Sequence, residues 1–565
     1  MPKNFDAIVI GSGISGSWAA KEFAEKGLKT LLIERGRMVE HIKDYPTAFL
    51  DPWDIPYANQ KTTKDTQNNP LISKHYQFDQ STKHFYIQDH DQEYIQEKPF
   101  DWIRGYQLGG KSLLWARQTQ RWSDYEFNAP KRFNYGIDWP IRYKDIAPWY
   151  SHVEKFIGVS GNKDGIDNMP DSEVVGSFEM NLVESKISRS ISANYTDRKP
   201  IIGRHANLAE VTPTQTQQGR SKCMARSLCS RGCPFGGYFS ANSSTIPYAL
   251  KTGNLTILTD SIVESIVYDH DRKKASGVRI INANTKEKTE ITGSIIFLNA
   301  STLNSNLILM NSKCEHFPNG LGNKNDQLGK NIVFHNYRGR LTADFDGYED
   351  SYYFGKRPTQ IFIPAFKNIH HVTESFLGSY LIAFSAYRES FPNSQTNTTL
   401  GGKYKDSLLE PGKWKVSMMM QGEVIPVKEN HVRLSNQKDK YGLPKLITSI
   451  GYTNNDVVMM QDFIDEGHEM LQKANCTNII SLDQHEAFNR QPGLEVHEMG
   501  GVRMGINPTE SILNAYNQIH SCKNVFVTDG ACMISAGNQN PSLTFMALTA
   551  RAANYAIQQF KNGNL

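Results

Sequence analysis

Three groups of residues in this 565-residue chain have types and spacings that could do chemistry. The first is Gly11-Ser12-Gly13-Ile14-Ser15-Gly16, spaced as a dinucleotide-binding turn. There Gly11 permits a tight turn, Gly13 lets backbone approach a pyrophosphate, and Gly16 lets a helix pack closely on a strand. The second is Cys223, Cys229 and Cys233, three thiols within eleven residues of a Gly- and Ser-rich stretch. Zinc fits them poorly, because it normally takes four protein ligands and no fourth Cys or His lies nearby. A disulfide with one free thiol, and an iron–sulfur cluster held by three thiolates, both remain open on spacing alone. Arg220, Lys222, Arg226 and Arg231 would offset the negative charge of such a cluster. The third group is His497 and Asn540, 43 residues apart and each beside Gly-rich sequence. A neutral imidazole, with an ordinary pKa of about 6.5, can take a hydroxyl proton, and an amide can hold the hydroxyl oxygen. With 16 histidines in the chain, type and spacing do not by themselves separate His497 from His335 or His520, which read as structural.

These groups need elements to position them. Residues 5–10 read as a buried strand, and Trp18, Ala19 and Phe23 mark the inner face of a helix that stops at Gly27. A second strand, residues 30–33, runs into Glu34, eighteen residues beyond Gly16. An acid there accepts bonds from ribose hydroxyls and repels a 2′-phosphate, which points to NAD or FAD rather than NADP. The opening of the motif leans towards FAD. Further on, Gly109-Gly110-Lys111-Ser112-Leu113-Leu114-Trp115 is a turn whose paired glycines would let backbone approach a flat ring. Strands are expected near 256–269, continuing at 275–278, and at 295–301 and 524–530, with a closing helix to Phe560.

Composition narrows the class. Apolar residues make up 39% of the chain and charged residues 21%, ample for buried cores, so a disordered or fibrous protein is excluded. The net charge of +4 and the lack of a basic run give no support for nucleic-acid binding. No stretch approaches the roughly 18 to 20 apolar residues needed to cross a bilayer. The first apolar run, Ala7 to Ile10, reads as a strand and not as a cleavable signal.

Four segments together resemble the glucose–methanol–choline (GMC) oxidoreductases, flavoproteins that oxidise alcohols. They are the N-terminal turn, the Gly109-Gly110-Lys111-Ser112 turn, His497-Glu-Met-Gly500-Gly501-Val-Arg503-Met504-Gly505, and Asn540-Pro541-Ser542-Leu-Thr544. Leu328-Gly329-Lys-Asn331-Ile-Val-Phe-His335 also looks like a family element. The resemblance spans nearly the whole chain, and the branch it looks most similar to holds pyranose oxidases and bacterial sugar or glucoside 3-dehydrogenases. It implies an α/β fold: a Rossmann-like FAD domain assembled from residues 1–40, 96–150, 205–312 and 490–565, an irregular insertion at 41–95, and an α+β substrate domain of 151–204 and 313–489 with a mainly antiparallel sheet. Strands at 413–420, 421–427 and 431–434 would roof the flavin. Gln421 or Glu423 could reach substrate there, although a solvated strand face is the plainer reading.

Carried over by position, the resemblance gives pyrophosphate contacts at Gly11, Gly13 and Gly16 and ribose contacts at Glu34. Val263 would meet the adenine, and Gly110, Ser112, Trp115, Asp529, Pro541 and Ser542 would line the flavin. Some relatives attach the flavin covalently through a His two residues after the Ser of the paired-Gly turn. Leu114 stands there, which implies non-covalent FAD. His497 would be the base and Asn540 the hydroxyl clamp, with hydride passing to flavin N5. The cysteine pattern is similar to that of flavin sugar dehydrogenases carrying a 3Fe-4S cluster, so Cys223, Cys229 and Cys233 would hold one and electrons would leave through it. The expected activity is oxidation of a secondary pyranose or glucoside hydroxyl, by preference at C3. The alternatives are a flavin oxidase reducing oxygen, with structural cysteines, and a non-catalytic flavin-binding redox subunit. Expected partners are a small subunit bearing a twin-arginine signal and a cytochrome c or other electron acceptor. The expected compartment is the periplasm by co-export, with the cytoplasm as alternative.

Overall fold

Phe5, Ala7, Ile8, Val9 and Ile10 are all buried, so the strand Asn4–Ile10 has no face to give to water and must lie inside a sheet covered on both sides. The computed structural model describes residues 4–91, 93–351, 358–372, 375–388, 400–407, 409, 412–482 and 490–565, and there this strand is central. The sheet runs Gln518–Ile519, Cys522–Val527, Lys288–Leu298, Asn4–Ile10, Thr30–Ile33, Leu255–Leu258. From Cys522–Val527 to Leu255–Leu258 every neighbouring pair is parallel. Ser261–Asp269 and Lys274–Asn282 form a hairpin added antiparallel to Lys288–Leu298. The helices Ile14–Glu25 and Ser542–Lys561 pack together over one face, burying Ala19, Phe23, Ala552 and Ala556 with Phe297 and Phe526. Phe297 meets Phe23 edge-on and Phe526 in a stack, each with ring centroids 4.9 Å apart.

A second sheet is antiparallel throughout its pairs and runs Thr477–Ser481, Arg340–Phe345, Trp414–Glu423, Tyr380–Arg388, Ile361–Ile363, Ile201–Ile202, with His335–Asn336 added beside Trp414–Glu423. Strand period two sorts its central strand. Val416, Met418 and Met420 pack into a core with Met459, Phe463, Met470 and Leu471 of the helix Asn454–Lys473. Met419 and Gln421 turn the other way, over a large cavity between the two sheets. Arg340 is opposite Met419 in the ladder and therefore shares that cavity face.

Two expectations change here. The strand expected in two pieces at 413–420 and 421–427 is one, Trp414–Glu423, because its pairing to Tyr380–Arg388 runs on without a break to Tyr380 opposite Gly422. The segment beginning at His431 does not join the roof. His431–Lys438 pairs with Pro444–Ser449, which pairs in parallel with Tyr94–Gln96, forming a separate three-stranded sheet. Residues 41–95 hold short 3-10 turns and one helix, Thr63–Asn68, closed by a Thr62/Asp65 capping box. Among the described residues no helix is long and apolar enough to cross a membrane.

Candidate active site

The cavity holds about 710 Å³, the size range of cofactor and ligand sites, and is lined by many separate stretches of chain between Ile10 and Phe545. Its nucleotide end is built from backbone. Gly11 turns at φ 91°, where a Cβ would meet Asn299 O at 2.3 Å. Gly16 faces inward, and a Cβ there would fall 1.8 Å from Gly11 O, so Gly16 sets the helix–strand packing and does not line the cavity. Gly13 is the reverse case: a Cβ would meet nothing within 4 Å, and the residue opens onto the cavity. The helix it begins has no side-chain cap, which leaves its first N–H groups for an anion. Glu34 accepts from Ser12 N (3.2 Å), Ser12 Oγ (2.6 Å) and Gly36 N (2.9 Å) and still lines the cavity. Burial pushes its carboxyl above the ordinary range against those bonds. Val263 lies on the cavity wall nearby.

Ser12 also joins the two glycine turns, its Oγ accepting from Gly109 N at 2.9 Å. Gly110 and Ser112 line the cavity, but Ser112 is occupied: it donates to Gly109 O (2.6 Å) and accepts from Ala241 N (3.0 Å). Trp115 faces the cavity with its indole N–H fixed on Phe239 O at 3.0 Å. Asp529 accepts from Ser305 Oγ (2.6 Å) and Ala531 N (3.0 Å), and burial raises it to about 6. Ser542 lines the cavity, whereas Pro541 is buried behind it as the first cap of the helix Ser542–Lys561. Leu114 lines the cavity and offers no nucleophile to a ring. Asn299 Oδ1, Asn304 Oδ1, Asn311 Nδ2 and Glu498 Oε1 are buried in this wall with no partner among the described residues. A polar cofactor filling the cavity would satisfy such groups.

At the other end His497 and Asn540 meet. Asn540 Nδ2 lies 3.4 Å from His497 Nε2, and both residues line the cavity. His335, expected to be structural, stands directly behind: its Nδ1 is 2.9 Å from His497 Nδ1 and its Nε2 is 3.1 Å from Gly537 O. A carbonyl only accepts, so His335 Nε2 carries the proton and its Nδ1 is bare. His497 Nδ1 must then donate to it, which leaves the His497 Nε2 lone pair on the cavity side, where it accepts from Asn540 Nδ2 at 3.4 Å. Both rings are held neutral. Burial brings His335 down to about 4. Burial, then His335 and Lys111, hold His497 well below 6.5.

Gln421 and Glu423 are not on a solvated face. Gln421 is buried on the cavity wall, accepts from Tyr337 O–H and donates to Asn538 O at 3.1 Å. Tyr337 in turn packs on His497, with ring centroids 5.8 Å apart. Glu423 is fully buried away from the cavity, accepts from Tyr135 O–H at 2.9 Å, and is raised to about 7 by burial. The groups packed over that strand face, Tyr337 and Asn538 on Gln421 and Tyr135 on Glu423, are what remove these residues from water. His520 stays apart from the cavity, bonded to Ser511 Oγ at 3.1 Å.

Cys223, Cys229 and Cys233 are free thiols and together line a small pocket of about 30 Å³ next to the cavity. Cys229 lines both. Asn207 Nδ2 is 3.9 Å from the sulfurs of Cys223 and Cys229, and Gly237 N donates to Cys233 Sγ at 3.3 Å. Among the described residues no group of three or more His, Cys, Asp or Glu is placed to hold a metal ion. The four neighbouring cations are mostly engaged elsewhere. Arg220 bonds Gly236 O and Ile157 O, Arg226 bonds Ala48 O, Arg231 bonds Leu50 O, and Lys222 pairs with Glu210.

Sequence reasoning missed His335, Tyr337 and the arginines of the cavity. For His335 a signal existed, since it ends the Leu328–His335 segment already singled out. The arginines come from unconnected segments, and no local pattern marks them.

Two family models described as GMC oxidoreductase match residues 5–337 and 426–549. A 2-methyl-1,2-propanediol dehydrogenase of Mycolicibacterium austroafricanum is 24% identical, over 99% of this chain and 96% of its own. The fructose dehydrogenase large subunit of Gluconobacter japonicus is 22% identical, over 99% and 98%. A paromamine 6'-oxidase of Streptomyces fradiae is 23% identical, over 97% and 90%. Among solved structures, a formate oxidase of Aspergillus oryzae superposes with a TM-score of 0.60 at 12% identity, over 99% of both chains. A pyridoxine 4-oxidase has a TM-score of 0.59 at 15% identity, over 98% of this chain and 99% of its own. These two establish a shared fold.

Proposed function

The chain belongs to the GMC oxidoreductase family, and from that premise we propose that it is an FAD-dependent dehydrogenase oxidising a secondary hydroxyl of a pyranose sugar or glucoside, by preference at C3. One observation carries the reading: a neutral histidine with its Nε2 lone pair aimed into a cofactor-sized cavity beside an asparagine amide. FAD, when bound, supplies the hydride acceptor. The chain's own residues do the rest. Gly13 and the uncapped helix receive the pyrophosphate, Glu34 the ribose, and Gly110 and Trp115 bound the ring. Asn540 holds the substrate hydroxyl so that one C–H faces the ring, and His497 Nε2 takes the hydroxyl proton. His335 fixes the tautomer of His497, and the Gly537 carbonyl fixes that of His335.

Support for a sugar comes from a fructose dehydrogenase and a paromamine oxidase among the relatives, and from the hydrogen-bonding groups of the cavity. Cys223, Cys229 and Cys233 are proposed to hold a 3Fe-4S cluster, which would supply one-electron transfer. A cluster interposes its own iron and sulfide between thiolates, so its ligands surround a pocket where the ligands of one ion converge on a point. The small pocket with amide donors to all three sulfurs fits that description. A small export subunit bearing a twin-arginine signal, an external acceptor such as a cytochrome c, and a periplasmic site complete the proposal. A relative named as a large subunit supports a partner.

The test is iron and sulfide content of anaerobically purified protein, with EPR before and after methyl glucoside. About three irons per chain and a cluster signal lost on adding sugar are expected. No iron, with flavin that bleaches on sugar and recovers in air, would make the protein an oxidase with structural cysteines. That second reading draws on the oxidase among the relatives.

A further inference from the structure

Three guanidinium groups, those of Arg117, Arg340 and Arg490, line the cavity, and among the described residues one carboxylate, Glu495, pairs with any of them. Arg340 projects from the sheet face that carries Met419 and Gln421, and lies 3.4 Å from Glu495. Arg490 pairs with the same Glu495 oxygen. Arg117 is 9% exposed, lies 5.3 Å from the Tyr238 ring, and has a left-handed backbone at φ 65°, a strained conformation for a non-glycine residue. Its Nε and Nη1 are buried without an acceptor among the described residues. The three share one region: the Tyr76 hydroxyl feels Arg117, Arg490 and Arg340, and Tyr337, packed on His497, feels Arg340 and Arg490.

Among the described residues the other charges around this end do not balance them. Lys111 is paired with Glu498 at 3.2 Å, and His75 and His497 are held neutral by burial. Glu34 is tied into the Gly11 turn and Asp529 to Ser305 and Ala531, both at the cofactor. Counted over the described residues, Glu495 therefore leaves two positive charges over. A neutral sugar would leave a buried guanidinium unpaired beside the reacting carbon, an arrangement that costs more than it returns. A planar oxyanion would meet the fork geometry of arginine and satisfy it.

We propose that the substrate is an acidic sugar, its carboxylate or sulfate ester held by Arg340, Arg490 and Arg117 while a ring hydroxyl meets His497 and Asn540. The inference rests on the sugar-dehydrogenase reading and narrows it. The test uses the holoenzyme, anaerobically, following flavin bleaching with methyl glucoside, methyl glucuronide and methyl glucoside 6-sulfate at fixed ionic strength. The wild type is expected to prefer at least one acidic sugar over the neutral one, and the two acidic probes separate carboxylate from sulfate. Arg490→Gln and Arg340→Gln should each lower the acidic-to-neutral ratio of kcat/KM by about 10- to 100-fold, with Arg490→Lys retaining part of it. A parallel titration of the flavin absorbance of the His497→Ala holoenzyme reads binding without turnover, and there the acidic sugar should bind more tightly. A neutral preference in the wild type, or a ratio unmoved in the arginine variants at full flavin content, would overturn the proposal and leave the sugar reading standing. If no sugar bleaches the flavin, the sugar reading falls, and equal binding of acidic and neutral sugars in the titration then removes the charge preference as well.

Discussion

The two ends of the large cavity are built by opposite means. At the nucleotide end the working groups are backbone: a turn at Gly11, open space before Gly13, uncapped helix N–H groups, and one carboxylate tied to that same turn. At the catalytic end they are side chains from distant segments, with His335 and Gln421 carried by two strands of one sheet and His497 and Asn540 by two loops. A backbone site needs only local sequence to form. A side-chain site needs every supporting element in place, and here the support is a chain of tautomers starting from the Gly537 carbonyl.

The two ends should therefore separate under mutation. The largest effect is expected for His497→Ala, which removes the bare imidazole nitrogen facing Asn540. The anaerobic flavin-reduction rate should fall by about 10³-fold while the FAD-to-protein ratio stays at the wild-type value. A variant that loses FAD as well would show that the two ends are not independent.

Glu34→Ala should do the converse. It removes a charged acceptor at the ribose position, so FAD affinity should fall by about 10- to 100-fold, read by equilibrium dialysis, with the fraction that stays loaded still reducible by substrate. The glycines sharpen this. Gly13→Ala adds a Cβ into open cavity and should lower FAD content with little change in the thermal midpoint of the apoprotein. Gly16→Ala places a Cβ 1.8 Å from Gly11 O and should cost about 3 kcal/mol of stability, the upper part of the overpacking range.

His335→Gln tests the relay. Glutamine can still reach His497 but no longer fixes one tautomer, so kcat is expected to fall by about tenfold with KM and FAD content nearly unchanged. Because His335 is one of the groups holding His497 low, the acid limb of the kcat/KM profile should move upward in that variant. In the wild type, His497 is unprotonated wherever the pH exceeds its lowered value, so activity should persist below pH 6.5 before it falls.

The same histidine also makes stability depend on pH. His335 titrates near 4 when folded and near 6.5 when unfolded. Between those values the unfolded chain binds the extra proton, so stability falls as pH drops from 6.5 to 4 and is flat outside that window. The full loss from this group is about 3 kcal/mol. Urea unfolding at pH 7, 5.5 and 4 should show it, and His335→Gln should remove that part of the slope.

The residues themselves show why some features were legible and others were not. The strand 4–10, the helix after Gly13 and Glu34 follow from turn geometry and short-range burial, and they stand where the sequence pattern puts them. Leu114 could be read in the same way, because its position counts from a nearby serine. Gln421 and Glu423 could not, since alternation within one strand does not say whether a second sheet layer or water lies over it. His335 was visible as the end of a motif, yet its role depends on a contact 162 residues away.

Sequence by itself determined the family, the dinucleotide-binding turn with its acid, the absence of a nucleophile at Leu114, and the nearness of three thiols. The family follows from four motifs spread along the chain, and each of the other features is fixed by short covalent spacing. Only the tertiary structure decided which histidine presents a lone pair, which one sets its tautomer, and that Arg340 and Arg490 share one glutamate while Arg117 lines the same cavity with two nitrogens unpartnered among the described residues. Those properties belong to distances between segments far apart in sequence, and hydrogen bonds and desolvation act on distance alone.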